Sequence, residues 1–424
     1  MITPDRHTAP PIGLPEEIKI SPAETQQLSN GTPLYLINAG TQDVVKVELI
    51  FAAGNIASSQ TLLAAAANDL LDEGTSRYNS AELAEALDYY GAYLQTENGA
   101  DWASVSLFSL NKFVGDTLPY LIDLLTDPIY PEKEIITYKT QGKQRLAVGL
   151  NKVDFLVRRH FMQALYGDQH PYGRISNPED YDALSTTALR SYYDQHYRKG
   201  LKAIIISGRP DNATISAIKK SIEAAGFSNS ELPEFNLTLP TPRKQLVEKK
   251  DAIQSAIRIG RRLFNRKHAD YFTFTVMNTI LGGYFGSRLM SNIREDKGYT
   301  YGIGSGLVSH HDDGYFFIST EVGADVREAA IKEIYFELRR LREEDVPLDE
   351  LNLVKNYLVG SFQRSIDGPF AQADRHKILC LNNLDTGYYE NYLRTIKNVT
   401  PNDIRTCAEK YLQEDQLTEI VAGK

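Results

Sequence analysis

Hydrolytic metal chemistry from a single helix needs two histidines on one face with a glutamate beside them, either as His-Glu-x-x-His or in the inverted order His-x-x-Glu-His. The stretch Leu62–Arg77, LLAAAANDLLDEGTSR, has the shape of such a helix and none of the ligands. Ser58 or Ser59 can cap its start, four alanines favour its interior, and Gly74 stands where a helix usually stops. The histidines offer no replacement: His7, His160, His170, His196 and His268 are scattered, and His376 is alone on a predicted helix. His310-His311-Asp312-Asp313 is the one local cluster; consecutive strand residues alternate faces, so it reads as a turn between strands. Gly282-Gly283-x-x-Gly286 lacks the Lys-Ser/Thr of a phosphate loop, and Gly302-x-Gly304-x-Gly306 sits in a strand-like stretch, so turns and close packing explain these glycines.

The elements that must position these residues belong to a chain of 424 residues, which predicts two or three domains. With 42% hydrophobic and 24% charged residues it reads as a globular protein, and a net charge of −9 excludes the basic face that nucleic acid requires. Two cysteines, Cys380 and Cys407, exclude a disulfide framework and favour a reducing compartment. No long apolar run and no signal-like start occur, so a cytoplasmic protein without membrane partners is expected. Residues 1–30 read as an N-terminal arm. Strands are predicted at Leu34–Asn38 and Val44–Phe51, paired antiparallel through Gly40; helices follow, then strands at Tyr93–Thr96 and Ala103–Leu110, then more helices and a closing strand at Lys202–Ser207. The endings of the two halves correspond at a shift of about 215: Ile205-Ile206-Ser207-Gly208 with Ile420-Val421-Ala422-Gly423, and Ile129-Tyr130-Pro131 with Asp345-Val346-Pro347. The chain therefore reads as a tandem duplication, with a first domain at 31–227, a proline-bearing linker at 228–246 and a second domain at 247–424.

The run Asp72-Glu73-Gly74-Thr75-Ser76-Arg77, the loop His170-Pro171-Tyr172-Gly173, and Ser287-Arg288-Leu289 followed by Arg294 and Gly298-Tyr299-Thr300-Tyr301 together resemble the pitrilysin and insulinase (M16) metallopeptidases. The resemblance spans roughly residues 30–424. It implies an α+β fold of tandem duplicated two-layer α/β-roll domains (M16/mitochondrial-processing-peptidase-like, LuxS/metallohydrolase-like), with mostly antiparallel sheets and helices on one face. It also implies that the zinc motif, nine residues before Gly74-Thr75, falls in a degenerate helix at 59–73, on Ala65, Asn68 and Asp69. The family's third ligand is a glutamate after the Pro131-like position, but Ile135–Val153 holds no Asp or Glu. No catalytic zinc is therefore expected in this chain. Arg294 and Tyr301 resemble the pair with which the family grips substrate. The implied role is a non-catalytic, substrate-binding or regulatory subunit of a two-chain peptidase, with zinc in a homologous partner and peptide as substrate. The alternative is a homodimeric structural or peptide-binding paralogue without peptidase activity.

Overall fold

The computed structural model describes Ile18, residues 20–234 and residues 240–424. Two sheets carry the chain. The first contains β1 (Glu24–Gln27), β2 (Pro33–Asn38), β3 (Val44–Phe51), β4 (Tyr93–Asn98), β5 (Ala103–Leu110) and β6 (Leu201–Gly208), in the order β1-β2-β6-β3-β5-β4. The second contains β7 (Lys244–Glu248), β8 (Gln254–Leu263), β9 (Thr300–Ser309), β10 (Gly314–Gly323) and β11 (Thr418–Gly423), in the order β7-β11-β8-β10-β9. Without β1 the two orders are the same, and in each the one parallel pair joins the first strand of the unit to its last, β2 to β6 and β7 to β11. The fold is α+β with mostly antiparallel sheets. Among the described residues no helix is long and apolar enough to cross a membrane.

Local patterns account for the strands. β6, LKAIIISG, is buried at seven of eight positions and takes the centre, where it is covered on both faces. For that reason the expected antiparallel pairing of β2 with β3 is wrong: β6 lies between them, and the turn at Gly40 spans it. Gly40 has φ +92°, and a Cβ there would stand 3.1 Å from Pro369, so glycine suits both the turn and the close approach. β10 alternates strictly, with Phe316, Ile318, Thr320 and Val322 buried and Tyr315, Phe317, Ser319 and Glu321 partly exposed.

Each sheet packs one face against helices of its own half, giving two large apolar cores. The other face receives a helix from the opposite half. Val153–Tyr166 lays Val157, Phe161, Ala164 and Leu165 on Ala256, Ile420 and Ala422 of the second sheet. In the same way Pro369–Leu381 lays Ala373 and Leu381 on Ile37, Ile50, Ala203 and Ile205 of the first. The exchange is reciprocal, and each buried Leu, Ile or Phe in it contributes about 1.5–3 kcal/mol.

Three boundaries differ from expectation. Within the N-terminal arm, residues 1–17 and 19 lie outside the described residues, but Glu24–Gln27 is an edge strand paired antiparallel with β2. Within the linker, residues 235–239 lie outside them, while β7 already begins at Lys244, drawn into the sheet by parallel pairing with β11. The degenerate helix is also shorter than 59–73: it runs Leu63–Asp69, starting from Leu62 at φ 67° with no side-chain cap. Ser58 instead closes a turn with Gln60, and Gly74 forms a β-bridge with Asn79.

Candidate functional site

The Leu63–Asp69 helix places Ala65, Asn68 and Asp69 in three different environments. Ala65 offers no donor atom. Asn68 is fully buried and donates through Nδ2 to the Tyr197 hydroxyl at 2.9 Å, while its Oδ1 is buried without a hydrogen bond. Asp69 faces solvent and accepts from the Tyr138 hydroxyl at 3.2 Å. Its carboxyl sits above the usual carboxylate range because desolvation outweighs the Tyr138 hydrogen bond and the nearby Arg145. Tyr138 and Arg145 belong to the Glu132–Gly149 helix, the element in which a distal carboxylate would be needed.

These residues do not fit zinc. A hydrolytic site requires three protein ligands and an open position for water, and the one carboxylate here is engaged by a tyrosine. Among the described residues no three His, Cys, Asp or Glu side chains come together where they could hold a metal ion. What surrounds the helix is a tyrosine cage. Tyr130 donates to the Ala67 carbonyl at 3.0 Å, Tyr192 to Ala53 at 2.9 Å, and Tyr193 to Leu125 at 2.5 Å. Burial pushes all three phenols up, so they remain neutral donors.

The other candidate residues are brought together. Arg294 lies in a π-helical segment, Met290–Asp296, and its guanidinium stands 4.6 Å from the centre of the Phe285 ring and 5.6 Å from that of Tyr301. Phe285 is 64% exposed and Tyr301 93% exposed, so two aromatic faces and a cation are held in solvent. Tyr301 stands on edge strand β9 where the register with β10 shifts by one residue between Thr320 and Val322. Such a bulge turns a side chain out of the strand's alternation. The ring is thus outside the core, and among the described residues Arg294 makes no ion pair with its acidic neighbours. Gly282 lets the neighbouring π-helical turn press on β9, since a Cβ there would meet Ser305 N at 2.7 Å.

Phe285 was not singled out from the sequence; an aromatic between glycines, as in Gly283-Tyr284-Phe285-Gly286, was the available signal. His170 and the His310–Asp313 turn meet elsewhere, at the junction of the halves. Tyr172 donates to Asp101, stacks on His310 at 4.1 Å, and lies beside His170 at 4.6 Å. Cys380 and Cys407 are free thiols, both pushed up to about 12 by burial, and so are not nucleophiles.

Comparison with known proteins agrees with this anatomy. Residues 183–358 match the family described as peptidase M16 inactive domain. An uncharacterized zinc protease, YmxG, of Bacillus subtilis is 24% identical over 309 residues, covering 72% of this chain and 74% of its own. A protein of Helicobacter pylori named non-peptidase homolog YmxG is 23% identical over 329 residues, covering 74% of each. The crystal structure of a peptidase M16 inactive domain from Pseudomonas fluorescens superposes with a TM-score of 0.86 at 23% identity, over 95% of this chain and 98% of that one. Over residues 183–358 the chain is thus similar to the peptidase M16 inactive domain, and over most of its length it shares the fold of the Pseudomonas fluorescens structure.

Proposed function

We propose that this protein is the non-catalytic, substrate-binding subunit of a two-chain M16 peptidase, acting beside a homologous chain that carries the zinc. The observation that carries this reading is the Arg294–Phe285–Tyr301 group, a guanidinium held between two exposed rings at a bulged edge strand. A purely structural arginine would be buried or ion-paired, and a core tyrosine would be covered. Arg294 keeps its N–H donors and Tyr301 its hydroxyl for a peptide carbonyl, and the rings limit the guanidinium's freedom before binding. The contribution to catalysis is positioning of the peptide against chemistry supplied by the partner.

The test is reconstitution with the homologue from the same genome that retains His-x-x-Glu-His. Each chain alone should leave a fluorogenic peptide uncut, and the mixture should cleave it. Tyr301→Phe in the mixture should lower kcat/KM by about threefold to tenfold, the value of one hydrogen bond, with Arg294→Ala lowering it further and neither shifting the melting temperature. Full activity of the homologue alone would overturn the reading.

A homodimeric paralogue without peptidase activity is the second reading, favoured by the name that the Helicobacter relative bears. It requires a stable self-dimer that ignores the zinc-bearing homologue, which a size measurement on the mixture detects.

A further inference from the structure

Beside Tyr301 lies a cleft of about 570 Å³, floored by the second sheet and walled by the helix donated from the first half. Its residues come from both halves: Asp154 and Arg158 from the Val153–Tyr166 helix, Arg258 from β8, Ser319 and Glu321 from β10, and Tyr301 from β9. Arg258 is the anomaly in it. The side chain is only 9% exposed, its Nε is buried without a hydrogen bond, and no carboxylate among the described residues comes within ion-pair distance. Phe317 and Phe161 flank the guanidinium at 4.4 and 5.6 Å. A buried charge without a counter-charge is costly, and proteins retain one where something else neutralises it.

The first sheet shows how the same position is satisfied internally. β11 sets Ile420 opposite Arg258, and β6 sets Ile205 opposite Glu48; β10 sets Ser319 on the other side of Arg258, and β5 sets Ser106 on the other side of Glu48. Glu48 and Arg258 are thus counterparts in the two sheets. Glu48 is 1% exposed and is met by Lys377, from the helix donated to its sheet, at 2.5 Å and by Lys46 at 2.9 Å. Burial alone would raise its carboxyl, yet the two lysines hold it below the usual range. At Arg258 the donated helix offers Phe161 in place of a counter-ion, and the nearest helix charges, Asp154 and Arg158, pair with each other.

We propose that Arg258 is a binding site for a carboxylate of the peptide that Arg294 and Tyr301 grip, so that the cleft anchors an acidic side chain or a free C-terminus. The inference rests on the peptide-binding reading above and adds a chemical class to it. A planar guanidinium fork matches a carboxylate, and Ser319 directly across the strands can add a hydroxyl donor. Asp154 and Glu321 in the walls disfavour a dianion such as phosphate. Tyr301 is itself part of the cleft's lining, so one extended peptide can touch both places.

The test uses the full chain and a dansyl-labelled peptide rich in Val and Thr, in three forms: free acid, C-terminal amide, and amide with one internal aspartate. Fluorescence anisotropy should show the acid or the aspartate form binding at least about tenfold more tightly than the plain amide, and whichever form gains identifies the source of the carboxylate. Arg258→Gln should bring that ratio to near one. Removing an unpaired buried charge should leave the melting temperature unchanged or higher. Ser319→Asp, which supplies an internal counter-ion across the strands, should also abolish the preference, and this arm decides if Arg258→Gln fails to fold. Arg294→Ala should weaken all three peptides by a common factor and keep the ratio. Peptide binding that depends on Arg294 but ignores the carboxylate, or a preference that survives both cleft variants, overturns the Arg258 site and spares the peptide-binding reading. No binding of any form to the unaltered chain overturns both.

Discussion

Asn68 is fully buried, its amide donates to Tyr197, and Tyr130 fastens the same turn through the Ala67 carbonyl. The position that the family resemblance assigns to the motif's glutamate is part of the core here, which predicts how the motif would respond to being rewritten. Ala65→His with Asn68→Glu and Asp69→His should give at best weak zinc binding and no peptidase activity, because no carboxylate comes from the Glu132–Gly149 helix beyond its first turn. The carboxyl that Asn68→Glu introduces would enter a closed slot, so urea melts should show a loss on the order of 3 kcal/mol. Stoichiometric zinc that restores chelator-sensitive cleavage would show the third ligand to have been misplaced. Glu48 makes the complementary case at single-residue scale. Lys377→Ala would leave that buried carboxylate with Lys46 alone, and stability should fall by up to about 3 kcal/mol, less if Lys46 re-centres. A melt unchanged from wild type would mean that Lys46 suffices.

At the scale of elements, the exchanged helices tie the halves together more than the chain between them does. Val153–Tyr166 covers the second sheet and Pro369–Leu381 the first, so either half alone would expose an apolar sheet face and an unpaired helix. Residues 20–234 and 240–424 made separately should therefore aggregate or remain partly unfolded, whereas the intact chain cut at a protease site inserted after Glu234 should stay folded and co-migrate in size exclusion. Two soluble, cooperatively melting halves would contradict this. The exchange also marks where sequence reading stopped. Local periodicity can report which face of a helix is buried. It does not report against what, and the long-range partners Ala256 and Ile420 carry no local signature. The expected pairing of β2 with β3 failed for the same reason: the apolar residues of β6 announce a strand, but its insertion between β2 and β3 is a property of topology. The capping box at Asn79, where the Asn79 and Glu82 side chains each accept from the other's backbone N–H at the start of the Ser80–Tyr89 helix, is by contrast purely local chemistry. Arg294 and Tyr301 were found through family spacing, while Arg258 was invisible, since an arginine in a strand becomes unusual only once the absence of its partner can be seen.

Across the whole molecule, the halves meet at a polar, aromatic junction that holds two buried histidines. His170, Tyr166, Tyr172 and Asp101 come from the first half, and Arg262, His310 and Asp313 from the second. His170 is lowered to about 4 by burial first and then by Arg262, Arg174 and His310. His310 is lowered as well, by burial that outweighs Asp101 and Asp313. Both rings bind protons less readily in the folded chain than in the unfolded one, where histidine titrates near pH 6.5. Between about pH 6.5 and about pH 4 the unfolded chain therefore holds more protons, so stability is complete above that window and declines as pH falls through it. For His170 alone the full loss is at most about 3 kcal/mol, and solvent screening of the ring reduces it. Asp313, raised by burial against the pull of Arg262, acts in the opposite sense but in the lower carboxylate range. Glu48 and Asp270, both held low, add to the acid loss below the histidine window. The histidines are separable from these carboxylates by substitution. His170→Gln should lower the melting temperature somewhat near pH 7.5, through lost stacking on Tyr166, yet fall less than the wild-type chain on going to about pH 5. Equal pH slopes in the two proteins would remove His170 from the account. Because the junction lies at the turn joining β9 to β10, the strands that carry Tyr301 and Ser319, acid should also weaken peptide binding before the chain unfolds, and anisotropy measured across the same pH range reads that directly.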